Sequence, residues 1–426
     1  MATNGDFSSS LNTKETLSVA TGQRNVDAER KDVPQRATDI PATTGWRQWY
    51  LAFTSILPIY VAVHVAFVIT TVFSVLFILP DFSRRSMPLV TLGQAWDHWD
   101  TKGYLAIAMH GYDTLPKIGF FPLYSLVIKC ILLLIHNPLL AGAIVSNLAG
   151  LVLLVVLYRL VQEDFGHVRA YRTVLYLSLF PAAFFLAAAY SESLFLCLSV
   201  LAFYFLRRGR WWLAGLFGFL ACLTRLAGIL MLLPFFYEYL RQHHFSIKAI
   251  RFDILSSLLL PAGIGLFALY CYFRFSDPLA FAHVQQAFWR HQLHVPGYGM
   301  YLSIKSILHS SGILSFQALR NSIDLGADLF ILLLIVLSFF GPWKIPQPLW
   351  AYTIYAVTFY LFLQLFPIND PFPLEANARY MLEIFPAFIV LAGLGKNRML
   401  NMNYLLISGA MLFFLLTQFL TGHWVT

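Results

Sequence analysis

Apolar runs recur along almost the whole chain: Tyr50–Leu79, then near 119–135, 138–160, 173–189, 191–206, 211–224, 226–240, 253–273, 322–341, 348–366, 381–395 and 403–421. A membrane-spanning helix takes about 20 apolar residues, and a water-soluble fold has nowhere to hide so many such runs. Only 12% of the 426 residues are charged while 58% are hydrophobic; soluble domains carry roughly 25% charged residues. The chain therefore reads as an all-α polytopic membrane protein. Several runs are shorter than a full span, and Pro234 interrupts one of them. The expectation is about 10–13 transmembrane helices, some broken or re-entrant, since non-helical backbone at membrane depth survives only where protein or a cavity surrounds it.

Residues 1–45 are polar, mixed in charge and without apolar periodicity, which predicts a disordered cytoplasmic tail ahead of a single integral-membrane domain over 46–426. No short apolar core follows a basic start, so the tail is not read as a signal peptide. Cys130, Cys197, Cys222 and Cys271 all lie within apolar runs and read as small packing residues rather than a disulfide framework. The net charge of +8 comes from cations that flank the apolar runs, where the positive-inside bias and lipid headgroups account for them. Membrane lipids, not nucleic acid, are the implied partners.

Lys and Arg in short connections set the orientation. The clusters Arg207/Arg208/Arg210, Arg241/Lys248/Arg251 and Lys396/Arg398, placed in the cytoplasm, put Tyr190–Ser193 and the loops 274–320 and 367–380 on the opposite face. They also make 211–240 a hairpin whose tip carries Thr224 and Arg225. The long first loop, 81–118, joins that face if the tail is inside and one segment of 119–160 fails to span. Its spaced apolar residues (Trp96, Trp99, Tyr104, Leu105, Ile107, Ala108) predict short juxtamembrane helices lying in the interface.

Four places could carry chemistry. In Trp96-Asp97-His98-Trp99-Asp100, two carboxylates three apart share one face if the segment is helical. Partial loss of water beside the indoles would move them toward general-base behaviour; the same pattern also suits an interfacial helix with Trp anchors and capping aspartates. Glu192, in Tyr190-Ser191-Glu192-Ser193, reads equally as a solvated loop residue or a cavity-lining one. Arg225 sits in an almost unbroken apolar stretch, where burial costs at least ~2.5 kcal/mol and calls for an anionic partner: a lipid phosphate, Glu192 or Asp100. Arg379 heads another span as a second phosphate clamp or a snorkelling boundary residue. His283, His291, His294 and Asp277 share one loop, but their spacing matches no zinc pattern, and no metal or cofactor is expected. Walker loops, nucleotide-binding glycine fingerprints and nucleophile elbows are missing, so a nucleotide-powered enzyme is unsupported.

Taken in order, Trp99-Asp100, Gly103–Ala108, His110-Gly111-Tyr112, Phe120–Tyr124, Phe180–Phe185, Tyr190–Phe195, Arg207–Trp212, Leu223-Thr224-Arg225 and Ala378-Arg379-Tyr380 resemble the PIG-V family of mannosyltransferases, which are multi-spanning GT-C glycosyltransferases. The likeness covers roughly 90–240 well and the remainder thinly; Leu226 stands where many relatives have proline. The resemblance implies transfer of a sugar, mannose above all, from a dolichyl- or polyprenyl-phosphate donor at the non-cytoplasmic face. In eukaryotic members the acceptor is a glycosylphosphatidylinositol precursor. The compact chain is more similar to the bacterial branch, where the acceptor is a glycolipid or another glycan. That implies the bacterial cell membrane, or the endoplasmic reticulum in a eukaryote. The family's catalytic aspartate corresponds to Asp100, with Glu192 as a second acid and Arg225 and Arg379 as phosphate ligands. Asp97, Trp99, Lys102, Tyr104, His110, Phe121, Tyr190 and Tyr380 are the implied pocket. Direct displacement would invert the anomeric carbon. The rival reading is a non-catalytic flippase or carrier of lipid-linked sugar.

Overall fold

The computed structural model describes residues 45–78, 89–368, 371–423 and 425. Apart from Gly45, the expected tail lies outside them, as does the start of the 81–118 loop. Helices α1 (Trp46–Phe73), α2 (Leu89–Gln94), α3 (Asp100–His110), α4 (Pro122–Leu132), α5 (Pro138–Phe165) and α6 (His167–Ser178) come first. Then follow α7 (Glu192–Arg207), α8 (Trp211–Thr224), α9 (Leu232–Gln242), α10 (Leu259–Phe275), α11 (Ala280–Ala287) and α12 (Tyr298–Leu308). The last are α13 (Phe316–Leu337), α14 (Trp350–Leu365), α15 (Asn377–Met381), α16 (Phe385–Leu394) and α17 (Arg398–Leu420). Among the described residues the β pairing amounts to one bridge, between His291 and Ile368. The all-α membrane architecture is as expected, and Trp49–Thr426 form one compact unit.

Among the described residues, five segments are long and apolar enough to cross a bilayer: Trp46–Ile78, Pro138–Phe165, Phe252–Phe275, Gln347–Leu365 and Arg398–Leu420. Local signals start and stop them. Asn137 caps α5 by accepting from the Leu140 N–H at 3.0 Å, Pro138 fills its first turn, and Gly166 at φ 86 ends it. Asn397 caps α17 in the same manner. Other helices are short or broken. α6 gives way after Ser178 to the 3₁₀ turn Ala183–Leu186, and α9 is preceded by a 3₁₀ stretch, Leu226–Met231. α4 has 11 residues, about 16 Å at 1.5 Å per residue against a core of about 30 Å, so it is the segment of 119–160 that fails to span. One face of α3 packs into the bundle, with Thr101, Tyr104, Leu105, Ile107 and Ala108 buried. One expectation changes: Cys130 is exposed on α4 and is no packing residue, whereas the other three free cysteines are buried.

The bundle has two polar ends. At one, Arg207 donates to Asp164 (2.8 Å) and Glu238 (2.8 Å), Tyr352 Oη donates to Asp164 (2.6 Å), and Arg241 holds Glu238 (2.6 Å). These pairs bolt together α5, α7, α9 and α14 beside two of the basic clusters. At the other end lie the start of α7, the end of α8, α3 and α15. Between the ends, α8 and α10 cross closely through small residues, as membrane helices do. A Cβ on Gly215 would stand 2.3 Å from the Ser256 carbonyl oxygen, and one on Gly263 would stand 2.6 Å from that of Phe219. Backbone atoms cannot move aside as a side chain can. Gly215→Leu is expected to cost about 1–3 kcal/mol through overpacking, read as a lower thermal unfolding midpoint in detergent. An unchanged midpoint would show that the crossing is loose.

Candidate active site

The sequence delivers each charged group of the second polar end from a point where a helix starts or stops. α8 closes at Thr224, whose hydroxyl donates to the Leu220 carbonyl (2.9 Å). Arg225 then turns extended (φ −154, ψ 145). The following 3₁₀ stretch folds back so tightly that a Cβ on Gly228 would meet the Cys222 nitrogen at 2.6 Å, which turns Arg225 inward. Glu192 is the first residue of α7, where the amide dipoles favour an anion. Asp100 opens α3 directly after Trp99, at φ 53 and ψ −121. Arg379 lies in α15, three residues after Ala376 at φ 67. Non-glycine residues in such conformations each cost about 1–3 kcal/mol and gather at functional sites. Here they flank both partners of one ion pair.

Those groups form a continuous chain of charge. Arg379 Nη1 lies 2.7 Å from Asp100 Oδ2, and Arg379 Nε lies 3.3 Å from Glu192 Oε1. Arg225 Nη1 lies 2.8 Å from Glu192 Oε1 and 2.8 Å from Glu383 Oε1. Arg225 and Asp100 are the most accessible of the five, with side chains 16% and 12% exposed; Glu192 and Glu383 are at 2% and 1%. Aromatic faces wrap the cations. The Arg379 guanidinium sits over Phe185, Tyr190 and Tyr380, that of Arg225 sits over Tyr380, and Tyr380 Oη accepts from Arg379 Nη2 at 3.1 Å. Desolvated cation–π contacts of this kind are worth up to ~2 kcal/mol. Tyr104 Oη and Ser191 Oγ share a hydrogen bond of 2.7 Å beside Glu192.

The cluster keeps unused polar capacity. Glu192 Oε2 is buried without a hydrogen bond, and Arg225 Nη1 meets its carboxylates by charge without hydrogen-bond alignment. A ligand with hydroxyls and an anionic group could take up these positions.

Of the residues singled out in the sequence, Asp100, Glu192, Arg225, Arg379, Tyr104, Tyr190 and Tyr380 come together here. Arg379 is buried, so it is not a snorkelling boundary residue. Asp97 precedes α3, so it shares no helical face with Asp100. Lys102 and His110 are exposed, with His110 about 15 Å along α3 from Asp100. Phe121 packs on Phe267 and Phe281 in a separate apolar cluster. Glu383 went unremarked inside the run 381–395, although an acid in an apolar run is the same signal that marked Arg225. The loop histidines do not converge: His283 pairs with Asp277 (2.7 Å), whose carboxyl that hydrogen bond holds below the usual range. His291 Nδ1 contacts the Phe366 carbonyl (2.7 Å), and His294 stacks on Tyr298. Among the described residues no three His, Cys, Asp or Glu side chains are placed to hold a metal ion.

Comparison with known proteins adds the following. Residues 117–270 match the family model for dolichyl-phosphate-mannose-protein mannosyltransferase. Over 95 residues the chain is 39% identical to the GPI mannosyltransferase 2 of Yarrowia lipolytica (strain CLIB 122 / E 150), a match covering 22% of this chain and 27% of that relative. The chain thus spans about a quarter of the curated relative it matches. Both agree with the mannosyltransferase resemblance of the sequence motifs. ArnT from Cupriavidus metallidurans, bound to undecaprenyl phosphate, aligns at a TM-score of 0.46 and 15% identity, covering 72% of this chain and 58% of that one. The apo Archaeoglobus fulgidus oligosaccharyltransferase aligns at 0.42 and 14%, covering 86% and 56%.

Replacing Arg225 with Met leaves Glu383 without its ion-pair partner in a desolvated place, while Glu192 keeps Arg379. Breaking a buried ion pair from one side costs about 3–5 kcal/mol. The thermal midpoint should fall accordingly, and adding Glu383→Gln should recover part of the loss. Equal midpoints for the single and double variants would mean that the two side chains are not coupled.

Proposed function

We propose that this chain is a GT-C-type glycosyltransferase, a mannosyltransferase by resemblance. It would move a sugar from a polyprenyl- or dolichyl-phosphate donor to a glycolipid or other glycan at the non-cytoplasmic face. The observation that carries the reading is the buried chain from Asp100 through Arg379 and Glu192 to Arg225. Three acids and two guanidiniums share a single desolvated site at the end of the bundle opposite the Arg207 cluster. The match of 117–270 to a mannosyltransferase family supports the same conclusion.

In the proposed reaction the acceptor hydroxyl oxygen bonds to the anomeric carbon as the bond from that carbon to the phosphate oxygen breaks. Asp100 takes the hydroxyl proton, and the polyprenyl phosphate leaves with the electron pair. Arg225 and Arg379 stabilise its growing charge, in a low-dielectric setting where fixed donors are worth most. The transition state is oxocarbenium-like, and a single displacement inverts the anomeric centre. Glu192 holds both guanidiniums at their stations. The donor's isoprenoid would lie in a cavity of about 350 Å³ between α3, α4, α8 and α10, lined by Ile107, Tyr112, Leu123, Leu126, Leu223 and Phe267. Leu223 is two residues from Arg225, so a tail in this cavity brings its phosphate toward the cation.

Purified protein given radiolabelled polyprenyl-phosphate mannose and a panel of glycolipid acceptors tests the reading. Asp100→Asn should lower kcat by about 10²–10⁴-fold, the usual worth of a general base, while donor binding persists. Arg225→Gln should weaken donor binding itself. Transfer at the normal rate by Asp100→Asn removes the base assignment. A wild-type protein that scrambles the lipid-linked sugar between leaflets without transferring it is a flippase.

A further inference from the structure

α13 carries Arg320, Asn321, Asp324 and Asp328 at helical spacing, all buried. Four such groups on one face of a membrane-length helix are costly unless each has a partner. Each of the four has a partner in one place, the segment that delivers Arg379. Arg320 Nη2 donates to Glu375 Oε1 (2.7 Å) and its guanidinium lies over the Phe372 ring (4.0 Å). Asn321 Nδ2 donates to the Pro371 carbonyl (2.7 Å). Asp324 Oδ1 accepts from the Ala378 N–H (3.1 Å). Asp328 accepts from Asn377 Nδ2 (3.3 Å), Gln364 Nε2 (2.7 Å) and Tyr360 Oη (3.1 Å).

The bond to Ala378 has a particular consequence. α15 is only five residues long, and its N-cap position is Ala376, which has no side-chain acceptor to offer and sits at φ 67. An N-cap side chain normally satisfies an amide at the second or third helical position. Here Asp324 does so from another helix, for the amide next to Arg379. With its own cap missing and a strained residue at its start, α15 has little local reason to exist.

We infer that Asp324, backed by Asp328, is a positioning residue: it caps α15 from α13, and so sets the reach of Arg379 to Asp100 and Glu192. The inference deepens the transferase reading, on which its kinetic part rests. It makes α13 a component of the active site although none of its four polar residues is among the ion-paired groups at Asp100.

The full chain in detergent is compared as wild type, Asp324→Asn and Asp324→Ala. The Asn variant keeps an oxygen toward the Ala378 amide; the Ala variant does not. Asp324→Ala should speed amide hydrogen exchange across 375–380 by about tenfold or more while other helices keep their protection. Its kcat for sugar transfer should fall about 10- to 100-fold, the scale of a small misplacement of a catalytic group, with donor KM changed less than kcat. Asp324→Asn should restore most of both. Should Asp324→Ala not fold, Asn377→Ala, which removes the Asp328 tether from the other side, is expected to shift exchange and kcat the same way. Wild-type exchange over 375–380 in Asp324→Ala overturns the inference, as does an Asn variant as damaged as the Ala one. Exchange needs no substrate, so a wild type that transfers no sugar would defeat the transferase reading and still leave the capping role decided by exchange.

Discussion

Everything at the functional end of this protein depends on keeping five charges out of water in one place. Asp100, Glu192, Arg225 and the pair Arg379 and Glu383 come from four segments far apart in the chain, and each charge would be expensive to bury alone. Held together they tie the start of α3, the start of α7, the end of α8 and the α15–α16 junction into one unit. Removing Arg225 leaves Glu383, and removing Arg379 leaves Asp100, without its ion-pair partner, so the fold and the site share their weakest point. At the opposite end, Arg207 with Asp164 and Glu238 bolts helices together.

The interruptions in the helices follow from this arrangement. A continuous helix through 211–240 would carry Arg225 along a helix face instead of at a chain end, and its backbone amides would be used up internally. Stopping α8 at Thr224, turning extended for one residue and resuming as a 3₁₀ stretch frees Arg225 to point across the bundle. Such irregular backbone is tolerable because protein surrounds it. Gly228 makes the fold-back possible by leaving room for the backbone of Ala221 and Cys222. Trp99 and Ala376 play the corresponding part for Asp100 and Arg379, in conformations that packing around them must sustain.

Much of this was legible in the chain itself. Apolar runs gave the membrane architecture, and a lone arginine in an apolar stretch gave Arg225, because hydrocarbon punishes an unpaired charge strongly enough to mark it. Asp100 stood out by its place beside Trp99 and Glu192 by its place between two apolar runs, and the family resemblance gave both their expected roles. Glu383 carried an equal signal but lay in a run read only for its hydropathy. The α13 face was missed because its polar residues sit at the head of the run 322–341, where charged residues look like the end of a span. What sequence could not supply was direction. Whether Arg379 snorkels outward or points inward depends on partners hundreds of residues away. The length of α4 could not be read from a run that continues past it into an exposed turn. Asp97 and Asp100 looked like one face only on the assumption that the helix began before Asp97, and the strained Trp99 delays it.

The composition of the cluster bears on how an anionic donor could enter it. Among the described residues three carboxylates face two guanidiniums, and Arg225 is already held by Glu192 and Glu383 on the same nitrogen. A phosphate adds negative charge to a site that has no surplus of positive charge. It can bind only if a carboxylate yields its place, and in a desolvated site a displaced acid is far cheaper neutral than charged. On the transferase reading, donor binding would therefore draw a proton onto one of the glutamates. Glu383, opposite Arg225 and without contact to Arg379 or Asp100 among the ion pairs, is the acid whose release disturbs the rest least. The same chain of contacts would then serve two tasks: before the donor arrives its acids neutralise the guanidiniums, and afterwards the phosphate takes over that role on Arg225 while Glu192 keeps Arg379 in position.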